Sequence, residues 1–398
     1  MKTADVIIIG GGIIGLATAY NLIHRYPGKR ILILEKENRI ALHQSGHNSG
    51  VLHSGIYYKP GSTKAATCRE GKQAMQEFCA AEGIGYEICG KVIVAVDESE
   101  LDRLNALYER GIANRVNCRI IERAELAELE PHAAGIKAIH VSETGIVDYK
   151  QICARLAARF EERGQEIITR ARVVGLMETS TEAIVKSEAG DFSAPYVINC
   201  AGLYSDRVAA FAGEPSTVKI VPFRGEYYKL KPEAEYLCRN LIYPVPDPQF
   251  PFLGVHFTRM IRGGVECGPN AVLAFAREGY ARSDINARDL LESLTYRGFI
   301  KLARKYWRMG AGEMWRSLNK TAFVSALGRL MPEIKSEQLV TAPAGIRAQA
   351  IARDGAMLDD FAFGERRRVI SVLNAPSPGA TSSLSIGRLI VEKLAARF

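Results

Sequence analysis

The spacing of apolar residues changes period along the chain, and each change marks an element. Residues 5–9, DVIII, form a short β-branched run suited to a strand buried on both faces. After the glycine cluster GGGIIG at 10–15, Ile14, Ala17, Leu22 and Ile23 follow a helical spacing, and RILIL at 30–34 is again continuously apolar. Residues 149–163 predict an amphipathic helix, 166–174 and 183–187 read as strands, and the buried run 196–200 closes on Ala201 and Gly202. The last strand, 368–373, leads through the small-residue stretch 374–383 into a helix carrying Ile386, Leu389, Ile390 and Leu394. Between these lie alternating, β-rich runs at 223–230 and 254–258, with turn signals at 244–251 and at Gly263-Gly264.

This order predicts an α/β protein of two parts. A discontinuous Rossmann-like domain takes 1–84, 143–215 and 333–398, and an α+β substrate domain with an antiparallel sheet takes 85–142 and 216–332.

Composition narrows the classes. At 398 residues, 47% hydrophobic and 24% charged, the chain is long enough for two or three substructures around a substantial core. The first apolar run ends at a glycine cluster and no window of eighteen apolar residues occurs, so neither a spanning helix nor a cleavable signal is expected, and a cytoplasmic setting is. Eight cysteines are scattered without a CxxC pair, none beyond Cys267, which fits reduced thiols better than disulfides or zinc. A net charge of +8 admits acidic substrates, an anionic membrane surface or nucleic acid and selects none of them.

One stretch concentrates that charge. Residues 297–320, RGFIKLARKYWRMGAGEMWRSLNK, carry seven Lys or Arg against one Glu, and both tryptophans. Phe299, Ile300, Ala303, Tyr306 and Trp307 fall on one helical face, with Lys301, Arg304, Lys305 and Arg308 around it. Such a helix suits an anionic membrane interface, with quinone in the bilayer as electron acceptor, or else covers a sheet with its charges solvated. Nucleic acid is not expected, because no recognised fold signature accompanies the cluster.

The chemistry begins at 10–15. Gly10 permits a tight turn, Gly12 lets the backbone approach a pyrophosphate, Gly15 lets helix and strand pack closely, and the helix N-terminus faces the negative charge. Glu35 ends the second strand, twenty residues after Gly15, where an acid bonds ribose hydroxyls. The motif alone does not separate NAD from FAD. Here the second strand runs into a polar, glycine-rich segment, HQSGHNSGVLHSGIYYKPGS at 43–62, instead of another compact βα unit, and that points to FAD.

With HNSGVLHSGIYYKPGS (47–62) the chain strongly resembles the FAD-dependent D-amino-acid-oxidase-like family, and within it the L-2-hydroxyglutarate dehydrogenases, also called oxidases. The likeness continues through GIVD (145–148), VINCAGLYSD (197–206), FPFLGVHFTR (250–259), GGVECGPNAVLAF (263–275), AGIRAQ (344–349) and NAPSPGATSSLSIG (374–387). It implies that Ser45, Asn48, Ser49 and Gly50 lie near the pyrophosphate, ribityl chain and ring. It further implies that Val174 contacts the adenine, that Ala201 and Gly202 pass close to the cofactor, and that Arg347 binds the substrate carboxylate. Related sarcosine oxidases tether their flavin through a C-terminal cysteine that this chain lacks, so noncovalent FAD is expected. Gly379, Ala380, Thr381 and Ser382 precede the last helix, whose N-terminal amides suit the pyrimidine end of a flavin, with Thr381 or Ser383 able to cap it.

Oxidising a 2-hydroxy acid requires a cation for the C1 carboxylate, a base for the hydroxyl proton, and an orientation that aims the C2 hydrogen at flavin N5. Arg347 supplies the cation, since guanidinium suits bidentate carboxylate contact. His256 and His53 are the base candidates. His43 and His47 read as loop hydrogen bonders, and no metal is expected because the segment holds no carboxylate or thiol. Arg259, Lys59, Tyr57 and Tyr228 are candidates for the second carboxylate of a five-carbon diacid. The reaction that the resemblance implies is L-2-hydroxyglutarate to 2-oxoglutarate, with membrane quinone favoured over oxygen. An amine or amino-acid oxidase, a reductase or tRNA-modifying subunit, and a nonredox dinucleotide-binding scaffold share the architecture and stay open.

Overall fold

The computed structural model describes residues 1–213, 218–247 and 253–397. The start of the 250–259 stretch, the later part of the expected 244–251 turn and the expected boundary at 216 lie outside them.

The central sheet has the strand order Glu166–Ile168, Ile31–Leu34, Val6–Ile9, Tyr196–Asn199, Val369–Asn374, Ala362–Glu365; the first five run parallel and the last antiparallel. Side chains alternate faces along each strand. Ile8 therefore packs with Leu16, Phe160, Ile386 and Ile390 under the helices Ile13–Arg25, Tyr149–Glu161 and Ser383–Ala395. Ile7 and Ile9 face the other way, onto Leu176, Val185 and Phe192 of a second sheet formed by Lys2–Thr3, Gly190–Ala194, Ala183–Ser187 and Val173–Glu178. Both faces are covered, which is why the strand is apolar at every position.

The strand expected at 166–174 is two strands. Glu166–Ile168 joins the parallel sheet and Val173–Glu178 the meander, because the chain turns at Arg170 (φ +54°), whose amide donates to the Glu37 carbonyl.

A nine-stranded sheet forms the other part, in the order Leu339–Thr341, Val218–Leu230, Val265–Leu273, His256–Arg259, Leu241–Pro244, Lys91–Ala95, Lys137–Val141, Cys118–Glu122, with Gly345–Ala352 also paired to Val218–Leu230. Its pairings are antiparallel except Leu241–Pro244 with Lys91–Ala95, the parallel seam that joins the two intervening stretches of chain. Leu339–Thr341 and Gly345–Ala352, expected with the cofactor segments of 333–398, belong to this sheet instead. Eight consecutive positions from Val218 to Gly225 pair with Ala352 back to Gly345, and nothing local signals so distant a partner.

The basic stretch forms Arg297–Leu318, broken at Tyr306 (φ −115°, ψ 21°), followed by Lys320–Gly328. Its aromatic residues do not share one face. Phe299, Leu302 and Tyr306 pack toward Val221 and Ile351, whereas Trp307 and Trp315 are 63% and 60% exposed. No helix among the described residues is long and apolar enough to cross a membrane, and all eight cysteines are free.

One buried node ties the three segments of the central part together. Tyr149 Oη lies 3.0 Å from the Val51 carbonyl and 2.9 Å from Thr381 Oγ1, and Thr381 Oγ1 also accepts the His53 amide at 3.2 Å. Thr381→Val keeps the volume but strands that amide, so denaturant unfolding should show a loss of about 1–3 kcal/mol. Gly387 sits where Ser383–Ala395 crosses the first helix, and a Cβ there would stand 2.7 Å from the Ala17 carbonyl. Gly387→Ala, which in an exposed helix would gain about 1 kcal/mol, should instead cost about 1–3 kcal/mol through overpacking.

Candidate active site

A cavity of about 1020 Å³ runs from the glycine turn to the large sheet. Of the residues expected at the cofactor, Gly10, Gly12, Glu35, Ser45, Asn48, Ser49, Gly50, Val174, Ala201, Gly202, Gly379, Ala380 and Thr381 all line it, as do His53, His256 and Arg347. Gly15 and Ser382 do not.

At the turn, Gly10 holds φ +110° with a would-be Cβ 2.4 Å from the Cys200 carbonyl oxygen, so only glycine fits. A Cβ on Gly15 would stand 2.0 Å from the Gly10 carbonyl oxygen, which makes Gly15 the close helix–strand contact and places it behind the cavity wall. Ser45 Oγ accepts the Ile13 amide at 2.8 Å, capping the first helix from another segment and fixing the loop against the turn. Glu35 accepts from the amides of Gly11 (2.7 Å) and Glu37 (2.9 Å), so it braces the turn as well as facing the cavity. Asn48 bonds the carbonyls of Gln44 and Ser45 and the Gly50 amide, which leaves it a loop organiser at the cavity edge. Val174 is 51% exposed at the rim, too open for a core valine.

At the far end stands the N-terminus of Ser383–Ala395. The amides of Gly379, Ser382 and Ser383 donate to the carbonyls of Pro376, Pro378 and Ala380, while those of Ala380 and Thr381 have no partner among the described residues. Ser382 does not line the cavity: it is fully buried, its amide is used inside the turn, and a Cβ on Gly71 would come 2.6 Å from its Cα, so it packs against the helix Thr63–Glu82. Free amides at a helix start, facing a glycine turn across one long cavity, fit a dinucleotide carrying a ring that takes on negative charge when reduced.

The substrate end joins His53, His256, Arg347, Tyr57, Tyr227 and Tyr243. His256 lies on the strand His256–Arg259, stacks on Tyr243 with centroids 4.0 Å apart, and places Nδ1 2.9 Å from the Gly254 carbonyl. A carbonyl only accepts, so Nδ1 carries the proton and Nε2 keeps its lone pair. Burial pushes His256 down to about 4, helped by the Arg347 and Lys91 charges and opposed by the Gly254 bond. Burial, with Lys91, His256 and Lys64 nearby, pushes His53 to about 3. Both imidazoles are neutral at physiological pH and able to accept a proton.

Of the four donors considered for a second carboxylate, only Tyr57 reaches the cavity. Arg259 forms a bidentate pair with Glu87, and Lys59 is exposed outside the cavity. Tyr228 packs on Phe323 at 4.8 Å, and its neighbour Tyr227 faces the site instead, on the same face of the strand as Gly225, which also lines the cavity. Tyr227 and Tyr243 were not singled out from sequence. The alternation of 223–230 would have pointed to one tyrosine of that pair, though not to which.

His47 Nδ1 donates to the Ala344 carbonyl at 3.1 Å. His43 meets Glu37 and Glu278, carboxylates from outside its segment, in a group with metal-like spacing. The Lys36 ammonium pairs with both carboxylates and lies 2.8 Å from His43 Nε2, so a side-chain cation already sits within the group.

The family model "FAD dependent oxidoreductase" matches residues 5–393. The L-2-hydroxyglutarate dehydrogenase of Indibacter alkaliphilus is 52% identical over 99% of both chains, and the mitochondrial L-2-hydroxyglutarate dehydrogenase of Homo sapiens is 45% identical over 99% of this chain and 89% of that one. The FAD-bound L-alpha-glycerophosphate oxidase of Mycoplasma pneumoniae superposes with a TM-score of 0.81 at 23% identity, covering 99% of this chain and 95% of that one, a likeness of fold. With its glycine turn, helix-terminal amides and cavity joined as such enzymes require, this chain belongs to the FAD-dependent oxidoreductases of the D-amino-acid-oxidase type.

Proposed function

We propose that the protein oxidises L-2-hydroxyglutarate to 2-oxoglutarate, with FAD held noncovalently. The observation that carries this reading is the meeting of Arg347 with two neutral imidazoles, His53 and His256, in the cavity that also holds the dinucleotide cradle. The substrate is the one in the names of the relatives. FAD, when bound, supplies a hydride acceptor at N5.

The chain's residues do the rest. Arg347 fixes the C1 carboxylate through a planar pair of N–H donors. His256 accepts the hydroxyl proton at Nε2, its ring held by the Tyr243 stack and by the Gly254 carbonyl at Nδ1. His53 is the second base candidate, its amide fixed on Thr381 and its Nε2 3.4 Å from Ser377 Oγ. Arg347 and Lys91 disfavour the imidazolium once formed, so the proton is released readily after turnover.

Electrons then pass to membrane quinone in preference to oxygen. Exposed Trp307, Trp315 and Leu318 among basic side chains on Arg297–Leu318 support a peripheral seat on an anionic surface. Beneath this helix a cavity of about 690 Å³ with a largely apolar lining shares Asp247, Leu253 and Pro269 with the main one.

Anaerobic titration should bleach the flavin band with L- but not D-2-hydroxyglutarate; bleaching by amines alone would favour the amine-oxidase reading. His256→Gln should slow that reduction by about 10²–10⁴-fold. Because a base must be neutral and His256 is held near 4, the rate in the unaltered protein should stay level as pH falls below 6.5 and drop only toward about 4. In vesicle sedimentation, Trp307→Ser with Trp315→Ser should lower binding to anionic lipid several-fold and leave flavin reduction intact.

A further inference from the structure

Lys91 opens the strand Lys91–Ala95 beside the parallel seam and is 2% exposed. Its ammonium lies 4.5 Å from the Tyr57 ring centroid and 4.9 Å from that of Tyr243, and it forms no ion pair or hydrogen bond with a described residue. An ammonium buried without a carboxylate is costly. Ring faces offset only part of that cost.

The groups around it supply no anion. Cys68 faces it from the helix Thr63–Glu82 and Cys118 from the strand Cys118–Glu122, and burial pushes these thiols up to about 12 and about 11. His53 and His256 feel its charge and are neutral, while burial raises the Tyr57 and Tyr243 hydroxyls. Lys91 itself is pushed down to about 7 by burial, with the two cysteines acting the other way. Tyr57 and Tyr243, the rings it touches, are cavity wall, and the buried Tyr57 hydroxyl has no hydrogen-bond partner. Arg347 and Lys91 both act on His256, so the proposed base stands within reach of two cations from different strands.

We propose that Lys91, acting from behind the Tyr57 and Tyr243 rings with the Tyr57 hydroxyl as the direct donor, selects a substrate that carries a second carboxylate. Arg347 takes the C1 carboxylate, the imidazoles face C2, and the remote carboxylate lies against the wall that Lys91 makes positive. A monocarboxylate satisfies Arg347 alone. Lys91 is thus a positioning residue for charge, and the inference rests on the diacid reading above.

The test reads binding without turnover. Glutarate and valerate, unreactive acids of equal chain length, are titrated into the FAD-loaded protein while the flavin spectrum is followed. Glutarate should bind at least about tenfold tighter near neutrality, and the advantage should shrink as pH rises through about 7 and the ammonium is lost. Lys91→Met should reduce the advantage to less than about threefold and raise KM for L-2-hydroxyglutarate, with valerate binding unchanged. Tyr57→Phe should weaken glutarate and spare valerate. Equal weakening of both acids in Lys91→Met, or an advantage unaffected by it, would overturn the proposal. If that variant does not fold, a glutarate-to-valerate ratio in the unaltered protein that stays constant from about pH 6 to about pH 9 does the same. The broader reading fails separately, when L-2-hydroxyglutarate leaves the flavin of the unaltered protein oxidised whatever the ratio.

Discussion

The site depends on one constraint: segments far apart in the chain must meet at a point that water cannot reach. Val51, Tyr149 and Thr381 meet there, and the amide of His53 is bonded to the same threonine hydroxyl. A buried hydroxyl network has nowhere else to place its bonds, so its members are either all in register or all unsatisfied. The glycine turn holds one end of the cavity by close approach, while this node holds the other by hydrogen bonding. Between them the first loop has little freedom, and His53 is carried by the same contact that sets the last helix.

Electrostatics divide the cavity by function. Its dinucleotide end presents backbone amides and the fixed dipole of a helix start, which favour negative charge without adding a mobile ion. At the substrate end, Arg347 and the buried Lys91 bear on imidazoles that burial already keeps neutral. A base held neutral beside cations accepts a proton as charge leaves the substrate and gives it up once the product has formed. The thiols of Cys68 and Cys118 nearby stay uncharged because burial raises them more than the Lys91 charge lowers them.

Much of this was legible because parallel strands and dinucleotide turns are local in sequence. A run apolar at every position, glycines at 10, 12 and 15 and an acid after the next strand describe one continuous piece of chain, and the structure keeps it so. What was not legible depends on register or on depth. Ser382 and Thr381 are adjacent small hydroxyl residues, yet one packs on Gly71 and the other faces the cavity, a difference set by the turn. Tyr227 and Tyr228 are adjacent, yet only Tyr227 faces the cavity, a choice made by how the strand seats in the large sheet, and 166–174 divides at a residue with positive φ that is not glycine. Lys91 gave no sign, because a lysine at the start of a strand reads as solvated until a second sheet strand and a helix bury it.

The strand that carries Arg347 explains how two separate sheets can build one site. Gly345–Ala352 is bonded along its length to Val218–Leu230 in the large sheet, then turns back through the Ile351–Met357 bridge. It continues into Ala362–Glu365 and Val369–Asn374 at the edge of the parallel sheet, and from there to Thr381 and the last helix. Arg347 and the unpartnered amides before the last helix therefore belong to one uninterrupted stretch of chain that runs from one β-ladder to another. A short connection pinned by the Ile351–Met357 bridge thus links the two sheets along this stretch, while under the proposal above selectivity among acids is left to side chains such as Tyr57 and Lys91 on the neighbouring wall.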